Sequence, residues 1–333
     1  MKKILALLLA LWIPAAVLSG CAPQDASAAS NKLNIVTTIF PAYDWVREIL
    51  GDETDRAEIT TLLDSGVDLH SYQPTVDDIV KISECDLFLY VGGESDGWVE
   101  DALKNAPNKD RKVIRLLDVL GDSAKAEETV EGMQEEEHDH EEEEHGHEEE
   151  AEYDEHIWLS LKNAQVLVAA ISEALQESDP ARKDTYAANA AAYVEKLSAL
   201  DGEYRAAVDS GTYKTLLFGD RFPFRYLADD YGLDYYAAFP GCSAETEASF
   251  ETVSFLAGKM DALGLPCVLT IEGTQHKIAE TVVQNTAQKN QQVLTMDSMQ
   301  AVTANDASSG VSYLSIMEKN LSVLKKALGQ EAE

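Results

Sequence analysis

Short β-branched runs alternate with helical segments along most of this 333-residue chain, and this alternation constrains the fold more than any other feature. In the first half, the pattern predicts strands over residues 33–39, 57–63, 87–91 and 112–117. In the second half, it predicts strands over residues 215–218, 234–238, 267–271 and 292–295. Strands that are separated by helices form parallel sheets with helices on both faces. The predicted fold class is therefore α/β, with two (β/α) lobes and mostly parallel sheets.

A long helical stretch separates the two halves. Residues 161–177 read as one helix, and Pro180 fits the first turn of a second helix that runs to about residue 208, or roughly 40 Å at 1.5 Å per residue. About 300 mature residues also favour two domains over one. We predict an N-terminal lobe over 33–178, a long rigid linking helix over 179–209, a C-terminal lobe over 210–333 and a binding site in the cleft between the lobes.

The first residues have the order of an export signal. A positive start is followed by an apolar run over residues 4–18, which is too short to span a bilayer and contains Pro14. We therefore predict a signal peptide over residues 1–20. Leu18-Ser19-Gly20-Cys21 matches a bacterial lipobox, which implies a diacylated Cys21 followed by a tether to residue 32. The expected location is the outer face of the cell membrane or the periplasm.

The net charge of −34 is concentrated in one segment. Between Glu127 and His156 there are seventeen acidic residues and no lysine or arginine. Such a surplus excludes nucleic acid or anionic lipid as the main partner and favours cations. Four of the seven histidines interrupt this acidic loop, which we bound at residues 125–155: His138, His140, His145 and His147. Weak, exchanging zinc sites are one interpretation, and a solvated charge run that only aids solubility is the other.

The three remaining histidines lie outside that loop. His70 and His276 each follow the end of a predicted strand, one in each lobe, and ligands of open α/β sheets bind beyond such ends. His156 directly follows the acidic loop. Neutral imidazole suits Zn²⁺, whereas Ca²⁺ and Mg²⁺ prefer a shell of oxygen atoms. We expect a zinc site with three imidazoles and one carboxylate, with Mn²⁺ as the alternative metal.

Two segments resemble a known family. Residues 66–78, Gly-Val-Asp-Leu-His-Ser-Tyr-Gln-Pro-Thr-Val-Asp-Asp, resemble the segment G-x-D-P-H-x-Y-x-P-T-x-x-D of the metal-binding ABC transporter lipoproteins of the ZnuA, AdcA and TroA group. Residues 154–160, Asp-Glu-His-Ile-Trp-Leu-Ser, resemble their D-P-H-I-W-L-S. The resemblance covers essentially the mature chain. It implies that His70 and His156 are the first two metal ligands and that a histidine-rich loop marks a zinc-specific member.

The resemblance leaves two ligand positions open. The third ligand of the family lies in a segment like F-H-D-A-F, which falls here at residues 218–222 with Gly219 at the ligand position. Asp220 either substitutes as a ligand or forms an ion pair with Arg221 or Arg225. His276 stands four residues after Glu272, where the family places its fourth ligand. Glu272 either ligates directly or supports His276 from behind.

The cysteines allow one disulfide. Cys242 and Cys267 lie in the same half of the chain, and an extracytoplasmic compartment permits a bond between them, so the bonded and free states both remain open. Cys85 lies in an apolar run and is expected to pack as a small hydrophobic residue.

These features predict a monomeric lipoprotein, not an enzyme, that captures Zn²⁺ outside the membrane and delivers it to an ABC permease. A manganese-binding transporter lipoprotein is the alternative within the same class. Alternatives from other classes are an extracytoplasmic zinc hydrolase and an adhesin or passive zinc buffer. A hydrolase needs an open metal position and a general base, and the chain has neither H-E-x-x-H nor G-x-S-x-G.

Overall fold

The computed structural model of the chain describes residues 32–104, 107–134, 152–243, 247–273 and 276–330. The predicted signal peptide, Cys21 and the four loop histidines lie outside these ranges. Among the described residues, no helix combines the length and apolar character needed to cross a membrane.

The first lobe is built on a four-stranded parallel sheet. Its strands are β1 (Leu33–Thr37), β2 (Ala57–Thr61), β3 (Leu87–Tyr90) and β4 (Lys112–Arg115), in the spatial order β2-β1-β3-β4. Its helices are α1 (Phe40–Leu50), α2 (Val76–Glu84), α3 (Val99–Lys104) and α4 (Leu116–Leu120). Parallel neighbours need crossover connections, and helices provide them here.

The second lobe repeats the same topology. Its strands are β5 (Thr215–Phe222), β6 (Asp234–Pro240), β7 (Cys267–Thr270) and β8 (Gln292–Thr295), in the order β6-β5-β7-β8. Its helices are α7 (Arg225–Tyr231), α8 (Phe250–Leu263), α9 (Lys277–Asn285), α10 (Ala304–Ser308) and α11 (Tyr313–Ala327). All strand pairs in both sheets are parallel.

Two long helices connect the first lobe to the second along the chain. Helix α5 (Leu161–Ser178) is followed by a short 3₁₀ turn and by α6 (Lys183–Ser210), which at 28 residues is about 42 Å long. The predicted fold class, two α/β lobes joined by a long helix, is therefore confirmed.

One apolar core runs through both lobes. The same buried cluster contains Ile35 of β1, Leu197 of α6 and Phe218 of β5. Polar bonds reinforce the junction: the hydroxyl of Tyr313 donates to the carbonyl of Trp158 at 2.7 Å, and the indole nitrogen of Trp158 donates to the carbonyl of Ser298 at 2.9 Å. Residues from both lobes therefore pack in one buried core.

Some element boundaries differ from the sequence-based prediction. The apolar spacing of residues 277–289 predicts one helix, but helix α9 ends at Asn285. The hydroxyl of Thr286 bonds to the carbonyl of Val283, and the chain turns away there. The short helix α4 replaces the end of a predicted strand, since Leu116 and Leu117 have an apolar pattern that fits either element.

The described start of the acidic loop packs on the second lobe. The backbone N–H of Gln134 donates to the carbonyl of Ala238 at 2.9 Å, and Glu131 forms a 2.9 Å ion pair with Lys259. This segment leaves the first lobe after β4, so it forms a second crossing between the lobes besides the long helices.

The possible disulfide between Cys242 and Cys267 does not form, because both thiols are free. Leu269 and Ala237 pair with the same residue of β5, so Cys267 lies level with Tyr235 at the beginning of the parallel strands. Strand β6 continues from there for roughly 16 Å, at about 3.3 Å per residue, before the turn that carries Cys242. A disulfide needs Cα atoms within about 7 Å.

Asp44 provides a test of the core. Its carboxylate is buried, accepts a 2.9 Å hydrogen bond from the backbone N–H of Tyr313, and has a pKa that burial raises to about 6. Since the folded state favours the protonated form, this group lowers stability as pH rises from about 4 to above 6. We expect the unfolding free energy of Asp44→Asn, relative to wild type, to increase by up to about 3 kcal/mol from pH 4 to pH 7 in urea titrations of metal-free protein.

The matched control is Asp52→Asn, which alters an exposed aspartate next to the end of the same helix. The rise between pH 4 and pH 7 should be larger for Asp44→Asn than for this control. If the two variants show the same pH dependence, Asp44 does not have the raised pKa.

Candidate metal centre

Two histidines meet where the lobes face each other. His70 lies in a 3₁₀ turn after β2, and His156 directly precedes the 3₁₀ turn Ile157–Leu159 that leads into α5. Their Nε2 atoms are 3.2 Å apart, and the side chain of His156 is fully buried. Two nitrogens bound tetrahedrally to Zn²⁺ at about 2.05 Å would be about 3.3 Å apart. The pair therefore already has the spacing that zinc needs.

Two carboxylates that are adjacent in sequence hold the other sides of these rings. One Asp154 oxygen accepts hydrogen bonds from the backbone N–H of His156 at 2.8 Å and from its Nδ1 at 2.9 Å. His70 Nδ1 lies 2.9 Å from the Ser95 hydroxyl and 3.3 Å from a Glu155 oxygen. A carboxylate behind an imidazole sets its tautomer and directs the other nitrogen toward the metal. The lone pair of each Nε2 atom is thus left to bind a metal.

Glu155 is ionised although it is buried. Burial by itself would raise its pKa, but His70 and the backbone N–H of Ser95 outweigh burial and lower the pKa below its usual range. Gly93 makes the space for this carboxylate, because its φ is 146° and a Cβ there would lie 2.3 Å from Glu155 Oε1. Glu155 stands where the family motif has proline, so this support for His70 is a feature of this chain.

Cys242 joins the histidine pair. Its sulfur and one ring nitrogen from each of His70 and His156 all lie within 4.8 Å of one another. Its backbone N–H donates to a Glu127 oxygen at 2.9 Å, and burial together with Asp154 and Glu127 raises the pKa of its thiol. From the sequence, Cys242 was expected only as a candidate for a disulfide. Its position just beyond the carboxyl end of β6 was the signal that should have marked it as a ligand.

Gln300 approaches the same point from the second lobe. Its Nε2 lies 3.4 Å from His156 Nε2, and its Oε1 is buried without a hydrogen-bond partner among the described residues. Glu272 holds this segment, because its carboxylate accepts bonds from the backbone N–H groups of Ser298 at 2.6 Å and Gln300 at 3.0 Å. Glu272, predicted to ligate or to support His276, instead orients the loop that carries Gln300.

His276 and Asp220 do not join the cluster. In the described ranges, the group of three or more possible metal ligands contains His70, His156 and Cys242 and neither of these two residues. Asp220 accepts hydrogen bonds from the backbone N–H groups of Arg221 at 2.9 Å and Ile271 at 3.4 Å, and burial raises its pKa. Spacing from a strand end predicted proximity to the cleft, but it does not determine which way a side chain points.

Arg221 ties the two ligand-bearing segments together. Its guanidinium forms an ion pair with Asp68 of the first lobe and donates to the carbonyl of Ser243 at 3.4 Å, next to Cys242. Burial would raise the pKa of Asp68, but Arg221 lowers it overall. Asp68 in turn accepts a 3.0 Å bond from the backbone N–H of His70. An ion pair of Asp220 with Arg221 or Arg225 was one of the two alternatives for Asp220, and the structure pairs Arg221 with Asp68 instead.

Two imidazole nitrogens and one sulfur are donors that suit Zn²⁺. The nearest carboxylates lie behind the rings and neutralise charge without occupying the centre. This arrangement favours holding a cation over converting a substrate.

Comparison with known proteins identifies the family. The model described as "Zinc-uptake complex component A periplasmic" matches residues 35–327. The zinc-binding lipoprotein AdcA of Streptococcus pneumoniae is 33% identical over 331 residues, which are 99% of this chain and 62% of AdcA. This chain therefore spans less than two thirds of that relative. The high-affinity zinc uptake system protein ZnuA of Bacillus subtilis is 30% identical over 304 residues, covering 91% of this chain and 90% of ZnuA.

Solved structures agree with this assignment. The Zn(II)-bound ZnuA-like domain of S. pneumoniae AdcA superposes with a TM-score of 0.68 at 29% identity, over 90% of this chain and 100% of that domain. The metal-dependent lipoprotein YcdH of B. subtilis superposes with a TM-score of 0.70 at 26% identity, over 89% and 99%. With two matching lobes around a histidine cluster, the chain belongs to the zinc-uptake complex component A family.

Proposed function

We propose that this protein captures Zn²⁺ outside the cytoplasm and delivers it to an ABC permease for import, without catalysing a reaction. The observation that carries the proposal is the His70–His156 pair, whose Nε2 atoms are 3.2 Å apart and whose Nδ1 atoms face carboxylates. Relatives that are named as zinc-binding and zinc-uptake proteins support the same metal.

The donor set favours zinc over manganese. Mn²⁺ prefers carboxylate, carbonyl and water oxygens, whereas imidazole and thiolate suit Zn²⁺. Asp154 and Glu155 contact the Nδ1 atoms of the two rings, so these carboxylates lie on the side away from a metal bound at the Nε2 atoms. The position of these carboxylates also argues against a hydrolase, because a hydrolase needs a carboxylate or another base beside the metal-bound water.

We further propose that Cys21 carries the lipid anchor, that the protein works as a monomer at the membrane surface, and that the histidine-rich loop collects zinc weakly. The loop hypothesis is supported by its described flanks. The backbone N–H of Glu127 donates to the carbonyl of Glu152 at 2.7 Å, and the Glu127 side chain bonds to Cys242. The described flanks at Glu127 and Glu152 therefore lie next to Cys242. An adhesin or passive buffer would need no permease, so permease-dependent zinc uptake distinguishes transport from both.

Zinc titration tests the histidine pair. We expect wild-type protein to bind one equivalent of zinc tightly in competition with a chromophoric chelator. His70→Ala and His156→Ala should each lose this tight binding, because each variant removes one of the two Nε2 ligands. His276→Ala is the matched control and should keep the tight equivalent, since His276 lies outside the cluster. A wild-type protein without tight binding, or retention in both cluster variants, would contradict the proposal.

Asp154→Asn tests the carboxylate behind His156. An amide accepts the Nδ1 hydrogen bond but lacks the negative charge, so zinc affinity should fall by roughly 10–100-fold. The measurement is the same chelator competition, and Glu128→Gln is a control at an acidic residue on the nearby crossing segment. Equal affinities for all three proteins would show that Asp154 does not tune the site.

The loop histidines are tested by replacing His138, His140, His145 and His147 together with asparagine. Calorimetric titration should lose the weak zinc equivalents and keep the tight one, because the cluster residues are unchanged. Ordering the loop on binding costs free energy, so zinc should bind to the loop with a dissociation constant in the micromolar range or weaker. If the tight equivalent disappears as well, the two classes of site are not independent.

A further inference from the structure

We propose that Cys242 binds the metal as a thiolate and makes the site selective for thiophilic divalent cations, Zn²⁺ and Cd²⁺, over Mn²⁺. This inference rests on the proposed function, because it requires a metal at His70 and His156. It adds a third ligand that the family motifs do not contain and that replaces the ligand missing at Gly219.

The usual third-ligand position is sterically closed in this chain. A Cβ at Gly219 would lie 2.5 Å from the Cα of Ala279 in α9 and 2.8 Å from the Ala279 backbone nitrogen. Since Cβ contacts under 3.0 Å essentially do not occur and the neighbour is backbone, no side chain fits there without moving the helix. A donor for the cluster must therefore come from another segment.

The turn after β6 supplies that donor. A Cβ at Gly241 would lie 2.8 Å from the Phe222 carbonyl and 3.3 Å from the ring of His156, so glycine allows the turn to approach the histidine closely. The 2.9 Å bond from the Cys242 N–H to Glu127 then fixes the turn from the other side. The sulfur is also available, because Cys242 is not in a disulfide.

The distances suit a Cys-His₂ site. With Zn–S at about 2.3 Å and Zn–N at about 2.05 Å, tetrahedral geometry separates sulfur from nitrogen by about 3.5 Å. The Cys242 sulfur lies within 4.8 Å of one ring nitrogen of each histidine, and the two Nε2 atoms are already 3.2 Å apart. We infer that movement of the cysteine side chain completes the triangle.

Gln300 is an independent sign that a ligand belongs here. The side chain is only 8% exposed, its amide faces His156, and its Oε1 has no partner in the part of the chain that the structure describes. A buried carbonyl oxygen without a partner costs free energy unless something else satisfies it. Turning the amide over would point this oxygen at a metal held by the three donors and would fill the fourth side of the site.

Charge balance favours a divalent cation. One thiolate and two neutral imidazoles leave a single positive charge on bound Zn²⁺, and the carboxylates of Asp154 and Glu155 lie directly behind the rings. Sulfur is a soft ligand that binds Zn²⁺ and Cd²⁺ well and Mn²⁺ poorly. Cys242 therefore contributes to zinc affinity and adds little to manganese affinity.

Cobalt substitution tests the sulfur ligand directly. Full-length protein loaded with one equivalent of Co²⁺ should show a sulfur-to-cobalt charge-transfer band, and Cys242→Ser should lack it. Cys267→Ala is the matched cysteine control and should keep the band, because Cys267 begins β7 at the far end of the sheet. Cys242→Ser should also lower zinc affinity by more than the roughly 10–100-fold expected for a residue behind a ligand, while changing manganese affinity much less.

The outcomes separate the two proposals. If one equivalent binds tightly through His70 and His156 but wild type shows no charge-transfer band, or Cys242→Ser keeps it, Cys242 is not a ligand and the proposed function stands. If wild type binds no tight equivalent, both proposals fail. Should Cys242→Ser not fold, zinc X-ray absorption of wild type decides the question. It should detect a sulfur at about 2.3 Å, and a shell of only nitrogen and oxygen would overturn the inference.

Discussion

The apolar core that continues from one lobe into the other is the constraint on which the rest of the structure depends. Ile35, Leu197 and Phe218 belong to one buried cluster although they come from the first sheet, the long helix and the second sheet. Separating the lobes would expose part of this core to water, at roughly 25 cal/mol for each Å² of apolar surface. The facing loops are therefore held at short range, and the Nε2 atoms of the histidine pair stand at a distance that suits a shared metal.

The site is assembled from segments that each need outside support. His156 is fixed by Asp154, His70 by Glu155 and Ser95, and the cysteine turn by a bond to Glu127. Three glycines allow close packing around the site because they lack a side chain. Gly93 leaves space for Glu155, Gly241 lets the turn that carries Cys242 approach His156, and Gly219 lets α9 pack against β5. Arg221 joins the first and second lobes at the same place through Asp68 and Ser243. This network makes a prearranged site, which reduces the conformational cost of capturing a cation.

Much of the fold was predictable because hydrophobic periodicity is a local signal. Alternating strands and helices, the long helix and the two-lobe architecture follow from the sequence pattern, and the largest errors are at element ends such as residues 286–289. The site was harder to predict. His70 and His156 were identified from motifs and strand ends, whereas His276, Asp220 and Glu272 have suitable chemistry and spacing but lie outside the cluster in the described structure.

The sequence by itself determined the fold class, the acidic histidine-rich segment and two of the candidate ligands, and it predicts an export signal and a lipobox. These properties depend on residues that are close together along the chain. Tertiary structure alone decided that Cys242 faces the histidines, that Glu272 and Asp220 bond to backbone, and that Asp68 and not Asp220 pairs with Arg221. Several of these contacts join segments that are distant in the chain, such as Arg221 and Asp68, which are 153 positions apart. They depend on how two sheets and a long helix pack, which local spacing does not encode.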